Sequence, residues 1–123
     1  MGLFFLQVDF PATSSGVNII NNAKSLANKI HGTTPIIYTA DGFEGVAVRL
    51  RQQINENSKM LCWHHVVPEM NHNELLGWRT NVDNLSVLYL RNKSDFYRNS
   101  TRIDINKSII KKYTDNILSL IHI

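Results

Sequence analysis

At 123 residues, with 43% hydrophobic and 19% charged side chains, the chain is long enough for one domain with a sizeable core and too apolar for a disordered segment. A formal charge of +3 comes from scattered basic residues (Arg49 and Arg51, Arg91 and Lys93, Arg98 and Arg102, Lys111 and Lys112), and no run is dense enough for a nucleic-acid patch. The single cysteine, Cys62, excludes an internal disulfide and is compatible with a reducing cytoplasm, the expected location.

Met1 to Phe5 is apolar, but Gln7 and Asp9 end the run and no basic residue precedes it, so neither a signal peptide nor a membrane span is expected. Leu6 stands where a myristoylation signal needs Ser or Thr. Residues 1–16 read as irregular, closing on the turn-rich Thr13-Ser14-Ser15-Gly16. From Val17 to Ile30 apolar residues recur at helical spacing, with Ser15 as N-cap and Gly32 as the stop. Pro35 to Thr39 is a short apolar run between turn residues, hence a strand. Asp41-Gly42 opens a helix over residues 43–57 whose buried stripe is expected at Val46, Leu50 and Ile54. Met60 to Val67 is β-prone and stops at Pro68, a second strand. Asn71 caps a short helix through Trp78, Leu85 to Leu90 is a third strand, and a polar, Arg-rich connection leads to a last helix from Ile105 to Ile121. Alternating helices and continuously apolar strands predict an α/β domain, a three-layer α/β/α sandwich on a parallel sheet with right-handed crossovers.

Two polar segments interrupt this pattern. Gln53-Ile-Asn55-Glu56-Asn57-Ser-Lys59 closes the second helix, and Pro68-Glu-Met-Asn71-His72-Asn73-Glu74-Leu follows the second strand. They gather carboxylate, imidazole and amide groups at two element ends, which makes proton transfer the first chemistry to consider. The plainer reading is a solvated helix-end glutamate and a capping or surface histidine.

These segments, with Pro35-Ile-Ile-Tyr38 and Ala47-Val48-Arg49 before them, resemble the C-terminal half of the bifunctional phosphoglucose/phosphomannose isomerases, within the larger group of SIS (sugar isomerase) domains. The resemblance runs from about Val17 to Arg102 and is carried by the identity, order and spacing of the two amide-rich motifs. It implies a flavodoxin-like fold and cofactor- and metal-independent aldose–ketose isomerisation of hexose 6-phosphates. It places the catalytic base on Glu56 and the ring-opening histidine on His72, with Asn57 and Asn71 in binding or supporting roles. Residues 1–123 would then be one SIS-like domain, the C-terminal half of a two-domain enzyme. The resemblance further implies a partner domain that holds the phosphate and a final segment carrying a further catalytic lysine, neither of which is expected among these 123 residues.

The roles suit the positions. Isomerisation needs the sugar ring opened and a proton moved between C1 and C2. Unpaired carbonyls at a helix end make a carboxylate there a stronger base, and Asn55, Asn57 and Lys59 are placed to hold Glu56. A neutral imidazole at His72 can take a proton from the sugar hydroxyl and return one to the ring oxygen. Eight strand residues span roughly 26 Å, so Glu56 and His72 should lie more than about 15 Å apart in one chain. A homodimer with a shared site, the arrangement implied by the resemblance, would bring the two together. No nucleic-acid or membrane partner is expected.

Two other readings compete. Trp63-His64-His65-Val66-Val67-Pro68 with Asn84-Leu85 superficially suggests an HNH metal nuclease, but no histidine follows at the needed place. A zinc site from His65, Glu69 and His72 lacks helical i, i+4 pairing, and Pro68 breaks any helix through it. His64 and His65, adjacent on a strand, should face opposite ways, one toward the core and one toward a lid or the surface. A non-catalytic sugar-phosphate-binding module, or an inactive fragment, is the third class.

Overall fold

The computed structural model describes residues 14–80 and 83–121, and the readings made above for residues 1–13 lie outside them. Four strands, β1 (Thr34–Ala40), β2 (Trp63–Val67), β3 (Leu85–Arg91) and β4 (Ile117–Ile121), form one sheet in the order β2-β1-β3-β4. Every pairing is parallel, with Tyr38 opposite His65 on one side and Tyr89 on the other. This is the start of the doubly wound 2-1-3-4-5 order, and it confirms the expected α/β class.

The helices are α1 (Ser14–Ile30), α2 (Glu44–Ser58), α3 (Glu74–Gly77) and α4 (Tyr97–Ile110), with 3-10 turns at Asp41–Phe43, Glu69–His72 and Trp78–Thr80. Residues 35–40 of β1 and 85–90 of β3 are buried, so both sheet faces need cover. On one face Ile30 of α1 and Ala47 and Ile54 of α2 pack with Ile37, Cys62, Leu88 and Leu90. On the other, Ile103 and Ile110 of α4 join Met70 and Trp78 over Ile36, Tyr38, Val87 and Tyr89. The leftward step from β1 to β2 runs under the first face, and the rightward steps from β2 and β3 run over the second. A single crossover handedness requires this split.

Local chemistry sets the ends. Gly32 takes φ 75°, a conformation that costs glycine little, and Thr33 donates its hydroxyl to the Ile30 carbonyl at 2.7 Å to close α1. Lys59 ends α2 in the left-handed region, φ 54°, at a cost of about 1–2 kcal/mol for a residue with a Cβ. Its ammonium donates to the Glu56 carbonyl at 2.6 Å, supplying positive charge to the negative end of the helix.

The structure corrects several expectations. The stretch 105–121 is not one helix: α4 begins at Tyr97, inside the supposed connection, stops at Ile110, and is followed by the edge strand β4. The break is chemically anchored, since Thr114 donates its hydroxyl to the Leu85 carbonyl at 2.9 Å and Asn116 its amide to the Lys29 carbonyl at 2.7 Å. In the α2 stripe Ile54 is buried and Leu50 packs against the core as expected, but Ala47 is buried in place of Val46, which is exposed. Ser15 lies inside α1, which starts at Ser14, and is not its cap. The second strand begins at Trp63, three residues later than expected. The short helix 71–78 is two 3-10 turns around a four-residue helix, and Asn73, not Asn71, is its cap.

Two measurements test this packing. Ile103→Ala, which truncates a side chain with 0% exposure, is expected to cost about 2–5 kcal/mol in urea unfolding. Ile105→Ala on the same helix, 53% exposed, is expected to stay within about 0.5 kcal/mol. Burial pushes the Cys62 thiol up from its ordinary 9.0 to about 11, partly opposed by Arg51. The unfolded thiol ionises first, so this contribution is complete below pH 9 and is lost as pH rises toward 11. The urea midpoint should therefore fall between those values, and fall less in Cys62→Ala.

Candidate functional site

Because all strands are parallel, every strand delivers its following segment to the same edge of the sheet. In doubly wound folds the crevice for ligands lies at that edge, where the strand order reverses, here between β1 and β3. The turn after β1 is held there by Asp41, whose Oδ1 accepts from the Gly42 amide at 3.0 Å and from Asn99 Nδ2 at 3.4 Å. Arg102 donates to Asn99 Oδ1 at 3.3 Å. After β3, Arg91 pairs with Asp104 at 2.8 Å and donates to Ser100 Oγ at 3.0 Å, fixing the start of α4 to the strand.

His72 projects from the segment that leaves β2 at this edge. The Val67–Pro68 bond is cis, and the Asn71 backbone N–H donates to the Pro68 carbonyl at 3.0 Å within the 3-10 turn. The His72 side chain is exposed and has no hydrogen-bond partner among the described residues. Its neighbours are fixed. Asn71 and Asn106 of α4 pair their amides reciprocally, at 2.7 Å and 3.3 Å, and Asn106 is fully buried. Asn71 is thus a structural link to α4.

Two residues further on, Glu74 anchors the segment to the sheet. Tyr38 of β1 donates its hydroxyl to Glu74 Oε1 at 2.6 Å, and Trp63 of β2 donates Nε1 to the same oxygen at 3.4 Å. Trp78 donates Nε1 to the Tyr38 oxygen at 3.1 Å. Burial, then the Glu74 hydrogen bond and charge, push the Tyr38 phenol far up, so it remains a donor. Leaving such a buried hydroxyl without an acceptor would cost about 1–3 kcal/mol. The neighbouring Tyr89, its ring 5.6 Å from Tyr38, buries its hydroxyl with no partner, and burial pushes that phenol up as well.

Glu56 occupies the opposite edge. It lies in the last turn of α2, the helix that carries the chain back to the start of β2. Glu56 and Asn57 are exposed. The residues expected to hold the carboxylate are engaged elsewhere: Asn55 Oδ1 accepts from the Cys62 amide at 2.9 Å, Asn57 pairs with Gln53 at 2.6 Å, and Lys59 bonds the Glu56 carbonyl. Glu56 precedes β2 and His72 follows it, so the strand separates them. Its five residues span about 17 Å.

His64 and His65 are both half-buried. His64 Nε2 lies 3.2 Å from Glu44 at the start of α2, and His65 Nδ1 accepts from the Val66 amide at 2.8 Å. Among the described residues no group of three or more His, Cys, Asp or Glu side chains is placed to hold a metal ion, and no helix is long and apolar enough to cross a membrane. Sequence reasoning missed Glu74, Asn99 and Asn106. The last two sit on the buried stripe Asn99-Ile103-Asn106-Ile110, a spacing readable only once α4 is begun at Tyr97. Glu74 left a fainter trace, a carboxylate just after a capping Asn, which also reads as ordinary helix-start chemistry.

Comparison with known proteins gives a consistent answer. Residues 19–121 match the family described as the bacterial phospho-glucose isomerase C-terminal SIS domain. A bifunctional phosphoglucose/phosphomannose isomerase of Aquifex aeolicus is 36% identical over 92 residues, covering 73% of this chain and 29% of the relative. One from Caldicellulosiruptor bescii is 39% identical over 95 residues, 74% of this chain and 28% of the relative. A D-glucosamine-6-phosphate 4-epimerase of Sulfolobus acidocaldarius is 42% identical over 50 residues, 41% of this chain and 16% of the relative. The chain therefore spans less than a third of the length of these relatives. No solved structure matches it. With the parallel sheet, and with both amide-rich motifs inside the matched region, the chain belongs to the bacterial phosphoglucose isomerase C-terminal SIS domain family.

Proposed function

We propose that this chain is the C-terminal catalytic portion of an aldose–ketose isomerase that interconverts glucose 6-phosphate or mannose 6-phosphate with fructose 6-phosphate. The observation that carries the reading is the pair Glu56 and His72. Both are exposed, neither side chain has a hydrogen-bond partner among the described residues, and both fall inside the family match at opposite ends of β2. Exposed carboxylate and imidazole groups are accessible to a substrate, and acid–base work needs them within hydrogen-bond reach of the proton that moves.

In this reading His72 takes the proton of the anomeric hydroxyl and returns one to the ring oxygen, opening the ring. Glu56 then removes the C2 proton of the open aldose and delivers it to C1 through an enediol, while the O2 hydroxyl proton passes to O1, so that C2 becomes the carbonyl and C1 carries the hydroxyl. Neither step calls on a metal or organic cofactor. Asn57, beside Glu56 and exposed, is a candidate for a substrate hydroxyl. Because β2 separates the two groups, a working site takes Glu56 from one copy and His72 from another, and the phosphate is held by a separate domain. The isologous contact of a homodimer supplies such an exchange twice over.

A second reading is a sugar-phosphate-binding module without turnover, in which the exposed Glu56 and His72 contact a bound sugar phosphate and transfer no proton. One assay separates the two. Alone, the chain is expected to show little or no conversion of glucose 6-phosphate when fructose 6-phosphate is detected by a coupled enzyme. Joined to the complementary part of the Aquifex aeolicus relative, it is expected to turn over, with no loss to chelator. Binding without turnover in that fusion supports the module.

Variants of the fusion test the roles. Glu56→Gln is expected to abolish exchange of the C2 proton with solvent while binding persists, and normal exchange there removes Glu56 from the chemistry. Glu56→Gln and His72→Gln fusions, each inactive, are expected to regain turnover when dissociated and mixed, because some heterodimers then hold one intact site. Continued inactivity of a verified heterodimer would end the shared-site reading.

A further inference from the structure

An exposed imidazole with no partner of its own cannot be aimed by its own contacts. Its position comes from the backbone that carries it, and that backbone is only as definite as the side chains flanking it. His72 lies between two such fixtures. On its N-terminal side is Asn71, locked by paired amide bonds to the fully buried Asn106 of α4. On its C-terminal side is Glu74, whose Oε1 receives the Tyr38 hydroxyl from β1 at 2.6 Å and the Trp63 indole from β2 at 3.4 Å. Asn73 between them turns its Oδ1 onto the Glu74 amide.

The second fixture has the stronger claim to a role beyond stability. Tyr38 is wholly buried and its hydroxyl serves two bonds, donating to Glu74 and accepting from Trp78. Trp78 lies in the turn that ends the same crossover. One carboxylate oxygen thus ties the middle of the crossover to both strands beneath it, and through Tyr38 to its far end. The sheet is the rigid element, and Glu74 is where the His72 segment grips it.

We propose that Glu74 is a positioning residue for His72, setting the imidazole through its bonds to Tyr38 and Trp63 without touching substrate. The proposal rests on the reading of His72 as the ring-opening group. A group displaced by about 1 Å can lose about a hundredfold in rate, so the grip matters to chemistry in a way that ordinary packing does not.

The test uses the full 123-residue chain and does not depend on turnover. The Cε1–H resonances of its histidines and the indole N–H resonances of Trp63 and Trp78 are followed by NMR, with His72→Gln assigning the His72 signal. In Glu74→Ala both indole signals are expected to shift and the His72 signal to move or broaden, while those of His31 and His64 stay in place. Glu74→Gln, which keeps an acceptor oxygen, is expected to restore His72 toward its original signal. Where Glu74→Ala fails to fold, Tyr38→Phe removes one donor with little change in shape and is expected to disturb His72 in the same way. Shifted indoles with an unmoved His72 overturn the proposal. So does a His72 disturbance matched at His31 and His64, which reports general loosening. In the fusion described above, Glu74→Ala is expected to lower kcat by more than tenfold with KM little changed. A fusion that never turns over, with the coupled NMR signature intact, removes the isomerase reading and leaves the mechanical link. An active fusion indifferent to Glu74→Ala removes the positioning role alone.

Discussion

Burial of the two central strands governs this structure. Six consecutive residues of β1 and six of β3 are buried. A strand closed on both faces must be covered on both, so the chain has to cross the sheet above and below. Handedness then assigns each crossing to a face: α2 beneath, the α3 segment and α4 above. The location of Glu56 follows from this, because a helix leading into a parallel strand must end at the strand's start. The location of His72 follows too, because the next crossing must begin at the strand's finish. Their separation is a property of the βαβ unit and would survive any substitution at either residue.

The polar groups inside this frame are arranged under the same constraint. Asn106, wholly buried, answers Asn71, and Thr39 donates to the Leu90 carbonyl across the strand pair at 3.1 Å. Tyr38 and Tyr89 make the comparison instructive. They are neighbours in register on adjacent strands and equally buried, yet Tyr38 has two hydrogen-bond partners and Tyr89 has none. The difference is the crossover above Tyr38, which brings Glu74 and Trp78 to it. Leaving a buried hydroxyl unpaired costs more than a hydrogen bond contributes on net, and among the described residues Tyr38 escapes that cost while Tyr89 does not. The satisfied position is the one tied to the turn that carries His72.

What the sequence revealed divides along physical lines. The first three strands were legible because continuous Ile, Val, Leu and Tyr between turn residues has few other meanings in an alternating chain. The α/β class followed, and the two amide-rich motifs disclosed the family. The fourth strand was not legible. Ile109, Ile110, Tyr113, Ile117 and Leu120 keep a helical spacing straight across Thr114-Asp115-Asn116, and nothing local shows that this triplet is pinned to Leu85 and Lys29 from distant parts of the chain. Tertiary contacts overrode the period. The start of α4 was hidden for the opposite reason: Asn99 and Asn106 look like surface residues, and their burial depends on partners in the turns after β1 and β2. The exchange of Val46 for Ala47 at the start of the α2 stripe has a third cause, since hydrophobicity alone favours Val46 and the helix turns the smaller Ala47 to the core.

The candidate site was legible as residue identities and illegible as an assembly. Glu56 and His72 stand out because they interrupt an apolar chain at element ends. Glu74 does not stand out, since a glutamate beginning a helix is unremarkable until a tyrosine hydroxyl and an indole are seen to converge on it. The asymmetry has a physical root. The groups nominated for proton transfer are recognised by their own chemistry and their place in a motif, and both can be read locally. A group that positions another must be engaged, and its signature lies in partners far away in sequence. Tyr38 and Glu74 are separated by 36 residues and Asn71 and Asn106 by 35, distances across which periodicity and propensity carry no information. The two kinds of residue therefore call for two kinds of evidence. Motif spacing can nominate Glu56 and His72, and only the folded chain can nominate the residues that hold His72 in place.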